Sequence, residues 1–159
     1  MKKDTRLVSL LLCLLLLTAL LCGCGSAAKS VPVAELVDAV TSAAGLGELA
    51  DPGESYVRGY LKKSADELGE YAIRMNVTGT NIDEFGIFKA GKLTVKELEE
   101  TVKGYLQTRQ DGWMDEYMPE EKPKLLSAEV KTVGDCVMYA ILSDADRTAA
   151  FDAFSSALK

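Results

Sequence analysis

The sequence predicts an α+β fold: a four-stranded, mainly antiparallel sheet with helices packed on one face, in the order α(α)-β-β-α-β-β-α. Three observations predict it. Two strand-like runs, Tyr71–Thr78 and Phe85–Ala90, are separated only by a break at Gly79–Asn81, which favours a hairpin. Two more, Ala128–Val133 and Cys136–Leu142, flank Gly134-Asp135, a two-residue loop of the kind that joins antiparallel strands. Amphipathic stretches stand before, between and after these pairs, so strands pair locally and helices layer against them.

In chain order, Pro32 suits a first helical turn, and Val33, Leu36, Val37, Val40 and Ala44 recur at helical spacing up to the stop at Gly45. Asp51-Pro52-Gly53 is a turn, and Tyr56, Val57, Tyr60 and Leu61 mark a short second helix. Ser64 and Glu67 have capping-box spacing for one further turn around Leu68. Tyr71, Ile73, Met75 and Val77 alternate with Ala72, Arg74, Asn76 and Thr78, the period of a half-buried strand. Phe85, Ile87 and Phe88 make the next strand apolar on both faces. Thr94 with Glu97 is a second capping box, with Leu93 and Leu98 placed as a hydrophobic staple. It opens the longest helix, whose apolar face runs through Val95, Leu98, Val102, Leu106, Arg109 and Trp113 to an end near Glu116. The prolines at 119 and 123 close it, with a turn around Leu125 and Leu126. Cys136–Leu142 is apolar on both faces and reads as a central strand covered on each side. Ser143 or Asp144 caps the last helix, striped by Phe151, Phe154 and Leu158. Residues 70–116 and 127–158 share a pattern without sequence identity.

Ahead of this domain stands a leader. Lys2, Lys3 and Arg6 precede the apolar run Leu7–Leu21, and Leu21-Cys22-Gly23-Cys24 follows. A basic head, a short apolar core and a small residue before the cut are the parts of a secretory signal. The ending resembles the bacterial lipobox, in which cleavage after Gly23 leaves Cys24 as the first mature residue. The expectation is therefore a removed signal peptide (1–23), a lipidated Cys24 with a short tether (24–30) and one domain (31–159). The lipid is a diacylglycerol thioether, with or without an N-acyl chain. An uncleaved membrane helix is the main rival, but spanning a bilayer takes roughly 20 apolar residues, more than Leu7–Leu21 supplies. Ordinary secretion is the third option. Over residues 25–30 a flexible tether reaches only about 15 Å, which keeps the domain close to the bilayer.

Loss of the leader leaves 136 residues with 15 Lys and Arg against 23 Asp and Glu, a net charge of −8. That suits one domain and disfavours nucleic acid as a partner. Of the four cysteines only Cys24 and Cys136 survive processing, so no disulfide framework is expected. Cys136 lies in an apolar run beside Asp135, the setting of a core residue and not of an activated thiol. The chain has no histidine, which removes Ser-His-Asp and Cys-His catalysis and the usual zinc ligand sets.

The lipobox leader, the N-terminal Val-x-x-Leu-Val helix, Glu70-Tyr71-Ala72-Ile73, Ile82 through Ala90, Tyr117-Met118-Pro119-Glu120-Glu121 and Ser143-Asp144-Ala145-Asp146 together resemble a family of small bacterial lipoproteins. That family is catalogued as domain of unknown function 4358. The resemblance covers most of residues 33–158 and implies an anchored, extracytoplasmic setting of the Gram-positive type. It implies no activity and no catalytic residues.

Carboxylates are plentiful: Asp83-Glu84, Glu97-Glu99-Glu100, Asp115-Glu116, Glu120-Glu121 and Asp144-Asp146. A pair at the right separation can hydrolyse glycosides, but caps and solvated faces account for such acids more simply. Neither Asp144-x-Asp146 nor Asn81-Ile82-Asp83 completes a calcium loop, and the sequon Asn76-Val77-Thr78 is incidental inside a strand. No phosphate loop, serine elbow or nucleotide fingerprint occurs. The stretch singled out as a candidate interaction surface is Trp113, Tyr117 and Met118, since aromatic residues and Met are enriched at interface cores; the alternative is that they cap the core. The sequence thus leads to a non-enzymatic domain with no metal, bound to membrane lipid through Cys24 and contacting an envelope protein or polymer. An envelope hydrolase using paired carboxylates and a small-ligand carrier are the other expectations.

Overall fold

A computed structural model of the protein describes residues 29–159. The expected signal peptide, the expected processing positions Gly23 and Cys24 and most of the expected tether lie outside the described residues. The elements are α1 (Val33–Ala43), α2 (Glu54–Tyr60), α3 (Ala65–Leu68), β1 (Tyr71–Met75), β2 (Glu84–Lys89), α4 (Val95–Asp111), α5 (Lys122–Leu126), β3 (Glu129–Val133), β4 (Cys136–Ile141) and α6 (Asp144–Ala157). The four strands form one sheet in the order β1-β2-β4-β3, and every neighbouring pair is antiparallel. The fold is α+β, as the strand pairs predict.

Strand alternation decides what lies on each side. On one side Ala72, Phe85, Ile87, Cys136, Met138 and Ala140 meet Val33, Leu36, Val37 and Val40 of α1 and Ala150, Phe151 and Phe154 of α6. On the other, Ile73, Phe88, Val137, Tyr139 and Ile141 meet Val57, Leu68, Leu98, Val102, Tyr105, Leu106 and Leu125, brought by α2 to α5. The expectation of helices on one face is therefore corrected: helices cover both. The physical reason is in β2 and β4. β4 is buried at all six positions and β2 at five, and a strand apolar on alternate positions of both phases cannot leave either face in water.

Local chemistry explains most of the ends. Ser64 and Glu67 complete a capping box on α3, and Thr94 and Glu97 complete another on α4. Ser143, not Asp144, caps α6, its hydroxyl accepting from the Asp146 amide. α1 starts at Pro32 with no cap of its own; Glu70 supplies one from afar, accepting from the Val33 amide at 2.6 Å. Gly134 takes the left-handed φ of 59° required in the tight loop between β3 and β4.

Two boundaries differ from expectation. β1 stops at Met75 and not at Thr78, because the Asn76 side chain accepts from the amides of Thr78 (3.0 Å) and Gly79 (3.2 Å) and folds the chain into a loop. α4 ends at Asp111, five residues short of Glu116, where Gly112 forms the C-cap and Trp113 turns back toward the sheet. α5 is a short additional helix where the sequence suggests only a turn. Among the described residues, no helix is long and apolar enough to cross a membrane.

Candidate functional site

The face covered by α2 to α5 carries a buried polar cluster that the other face lacks. It is built from β2 outward. Glu84 shares a strand face with Gly86 and Phe88, and its side chain is fully buried. Gly86 stands opposite Tyr139 in the β2–β4 register. A Cβ at residue 86 would lie 2.3 Å from the Tyr139 ring, so only glycine lets that ring lie across the strand. Lying there, Tyr139 delivers its hydroxyl to Glu84 Oε1 at 2.5 Å.

α4 completes the cluster. Tyr105 and Arg109 are one turn apart on its inner face. The Tyr105 hydroxyl donates to Glu84 Oε1, while Arg109 Nη1 donates to Glu84 Oε2 at 2.5 Å. Since Tyr105 commits its proton to Glu84, the 2.6 Å contact between the Tyr56 and Tyr105 hydroxyls has Tyr56 as donor. Arg109 Nη1 also lies 2.6 Å from the Tyr56 hydroxyl and 2.7 Å from that of Tyr105. Its guanidinium stands 5.8 Å from the centre of the Tyr105 ring, within cation–π range.

This cluster holds protons instead of exchanging them. Burial pushes the Tyr56 phenol up to about 12, with the Glu84 charge adding to the shift. Burial, then Glu84, also raises Tyr105 and Tyr139 well above the ordinary phenol value. Burial acts against the charge of Arg109, but Glu84 and the surrounding phenols outweigh it and hold the guanidinium above its ordinary value. Phenols raised so far are poor general acids or bases near neutral pH. Together they make a hydrogen-bonded floor in which the charges of Glu84 and Arg109 offset each other.

Above that floor lies a cleft of about 470 Å³ lined by Tyr56, Tyr60, Met75, Thr108, Arg109, Gly112, Trp113, Met114 and Tyr117. Its walls are aromatic. Tyr56 and Tyr60 of α2 form one, with ring centres 4.5 Å apart. Trp113 and Tyr117, just past the end of α4, form the other at 5.9 Å. Five large apolar side chains of the described residues are exposed, and three of them line this cleft: Tyr60 (45%), Met114 (67%) and Tyr117 (49%). The Trp113 indole N–H is buried without an acceptor. Met118, next to Tyr117, has a left-handed φ of 46°, an unfavourable conformation for a residue other than glycine.

Of the three residues singled out in the sequence, the structure brings Trp113 and Tyr117 together at the cleft. Met118 does not line it; its side chain packs, half-buried, against the core of that face. The paired acids are mostly consumed elsewhere. Glu97 and Asp146 belong to helix N-termini. Glu99 pairs with Lys103, Asp115 with Lys122, and Asp144 with Arg147 at 2.8 Å. Asp83 and Glu121 do converge, but on Lys124, at 2.9 and 2.8 Å, and Glu121 also accepts from the Ile82 amide. That arrangement pins α5 to the loop before β2. Among the described residues no carboxylate lines the aromatic cleft. Cys136 is buried, and burial with the neighbouring Asp135 pushes its thiol up to about 12, the state of an unreactive core thiol. Among the described residues no group of three or more His, Cys, Asp or Glu could hold a metal ion.

The sequence weighs Glu84 only as half of the Asp83-Glu84 pair and does not single out Gly86, Tyr105 or Tyr139. A signal exists for the first two: they alternate in phase with Phe88 in a strand apolar on its other face. The acid in that phase needs a buried partner, and Arg109 on the apolar stripe of α4 is the one cation the pattern offers.

No curated protein and no solved structure matches the chain. The model of a family described as Domain of unknown function (DUF4358) matches residues 58–142, a stretch that holds the whole sheet, the Glu84–Arg109 pair and the Trp113–Tyr117 wall, and the chain belongs to that family.

Proposed function

We propose that this chain is a non-enzymatic binding domain, held by a lipidated Cys24 on the outer face of the cytoplasmic membrane, that engages an envelope component through the aromatic cleft. The observation that carries the binding role is the cleft itself: exposed Tyr60, Met114 and Tyr117 gathered over a neutralised floor. Scattered apolar side chains are ordinary on a protein surface, whereas a gathered patch of them marks a contact site. The anchoring half rests on the sequence alone, on the basic head, the apolar run and Leu21-Cys22-Gly23-Cys24. Two acyl chains give the strong class of membrane attachment. A non-catalytic role is supported by the raised Tyr56 phenol and by the absence of any carboxylate among the residues lining the cleft.

A second reading, a carrier of a small apolar ligand, is favoured by the cleft volume of about 470 Å³, which lies in the range of small-molecule sites. It predicts a small molecule that co-purifies with the protein and is absent from the Tyr117→Ala variant.

The test of the main reading has two arms. Labelled fatty acid fed to the native host is expected in the wild type and not in Cys24→Ala; an unlabelled wild type contradicts the anchor. Pull-down from native membranes with the lipidated protein is expected to retain a component that Tyr117→Ala loses. Identical profiles for the two contradict the cleft as the binding surface.

A further inference from the structure

We propose that the aromatic cleft takes a proline-rich segment of another protein in the polyproline II conformation. This rests on the binding role given above and names its ligand class.

The argument starts from charge. Among the described residues Arg109 is the only charged one lining the cleft, and Glu84 beneath already balances it at 2.5 Å. With its charge matched, the cleft offers no net attraction to an anion, and no lining acid attracts a cation. The ligand is therefore uncharged where it makes contact.

Hydrogen-bonding capacity narrows the class. Arg109 directs Nη1 at Glu84, Tyr56 and Tyr105, while Nε and Nη2 have no partner among the described residues. Its side chain is 18% exposed, so these donors form the edge left for a ligand. The Trp113 indole N–H likewise has no acceptor, and a buried donor left unpaired is costly. A turn of the indole toward an acceptor brought by a ligand relieves that cost. The Thr108 hydroxyl already gives its proton to the Gly104 carbonyl. The Tyr60 and Tyr117 hydroxyls can donate or accept, so the two donors left without a partner, on Arg109 and Trp113, set the demand for acceptors.

An ordinary extended peptide brings an amide N–H with every carbonyl. Proline has no N–H, so a proline-rich segment presents carbonyl acceptors alone, spaced along a helix with no internal hydrogen bonds. Its ring faces are apolar and fit between aromatic side chains, and its preset conformation lowers the entropy cost of docking. Sugars also lay their C–H faces on aromatic rings, and titration with chitohexaose separates them from proline. The Tyr56–Tyr60 and Trp113–Tyr117 pairs supply the aromatic ridges.

Trp113 is the only tryptophan in the chain, so intrinsic emission reports on this cleft. The full lipidated protein, in detergent micelles, is titrated with capped decaproline, with a capped Gly-Ser decapeptide and with chitohexaose, none of which contains tryptophan. Decaproline is expected to shift the emission saturably, and Tyr117→Ala to weaken the midpoint by about tenfold or more. Because Tyr117 is half-exposed, Met114→Ala serves as a second variant with still less risk to folding, and it is expected to weaken the midpoint in the same direction. No saturable change with decaproline overturns the assignment, as does an equal response to the Gly-Ser peptide or an unaltered midpoint in both variants. Saturation by chitohexaose alone overturns the proline assignment while leaving the binding role intact. A pull-down indifferent to Tyr117→Ala overturns the binding role itself.

Discussion

The two faces of the sheet do the same mechanical work with different materials. Against α1 and α6 the buried part of the sheet presents apolar side chains and the Cys136 thiol, with Lys131 of β3 at its margin over the Phe151 ring, and the core-facing helix positions answer with Val, Leu, Ala and Phe. Against α2 to α5 it presents Glu84 and Tyr139, and the helices answer with Tyr56, Tyr105 and Arg109. An apolar core of similar volume would hold those elements at least as well, because burying an ion pair costs desolvation on both sides. A buried pair kept at that cost points to a role in placing something. What it places is the wall of the cleft: Arg109 reaches the cleft floor, and Trp113 and Tyr117 follow directly from the end of its helix. One face holds the fold, and the other positions a surface.

Substitutions separate the two roles. The largest loss is expected on the apolar face. Phe154→Ala leaves a cavity under α6 and should cost about 3–5 kcal/mol, seen as a lower urea midpoint with Trp113 emission of the folded state unchanged. Glu84→Leu removes one member of the buried pair, for which losses of about 3–5 kcal/mol are typical. Arg109 is partly exposed and can turn toward water, so the result should fall at the lower end, and Trp113 emission should change in the folded state. Gly86→Ala drives a methyl into the Tyr139 ring and should cost about 1–3 kcal/mol; in equilibrium unfolding it should also abolish the benefit of the Tyr139 hydroxyl, so that Tyr139→Phe adds little on top of it.

The two faces also share a sensitivity to alkali, through different groups. Tyr56 on one face and Cys136 on the other both rise to about 12 from ordinary values of 10 and 9. A raised pKa means the folded state keeps protons that the unfolded chain releases. That stability is present in full below about pH 9 and is lost as pH climbs toward 12. The melting temperature should fall by about 4 °C or more between pH 8 and pH 10.5, and Cys136→Val should remove the part that begins near pH 9. The smallest effect on folding is at the cleft rim. Tyr117→Ala should change stability by no more than about 0.5 kcal/mol while weakening binding most.

Much of this fold is legible in local sequence. The capping boxes at Ser64–Glu67 and Thr94–Glu97, the Ser143 cap and the Gly134 turn are each set by residues within a few positions of one another, and a short-range reading finds them. The centrality of β4 is legible because its apolar residues occupy both phases. The end of α4 is missed because the helical spacing continues through Arg109 to Trp113, whereas Gly112 breaks the backbone first. The site is harder. Trp113 and Tyr117 stand out by composition, but Glu84, Tyr105, Arg109 and Tyr139 are joined only by the pairing of β2 with β4 and the packing of α4. Their separations reach 55 residues, beyond any periodic pattern. At Gly86 the sequence shows only its phase with Glu84 and Phe88; the requirement for glycine comes from a ring on the neighbouring strand.

The division of labour between the faces is tested most directly by photo-crosslinking in native membranes. A photoreactive residue replaces Met114 at the cleft in one variant and Asp152, exposed on α6, in another. The account predicts a discrete adduct from position 114 and none from position 152. An adduct from position 152 with none from position 114 would contradict it.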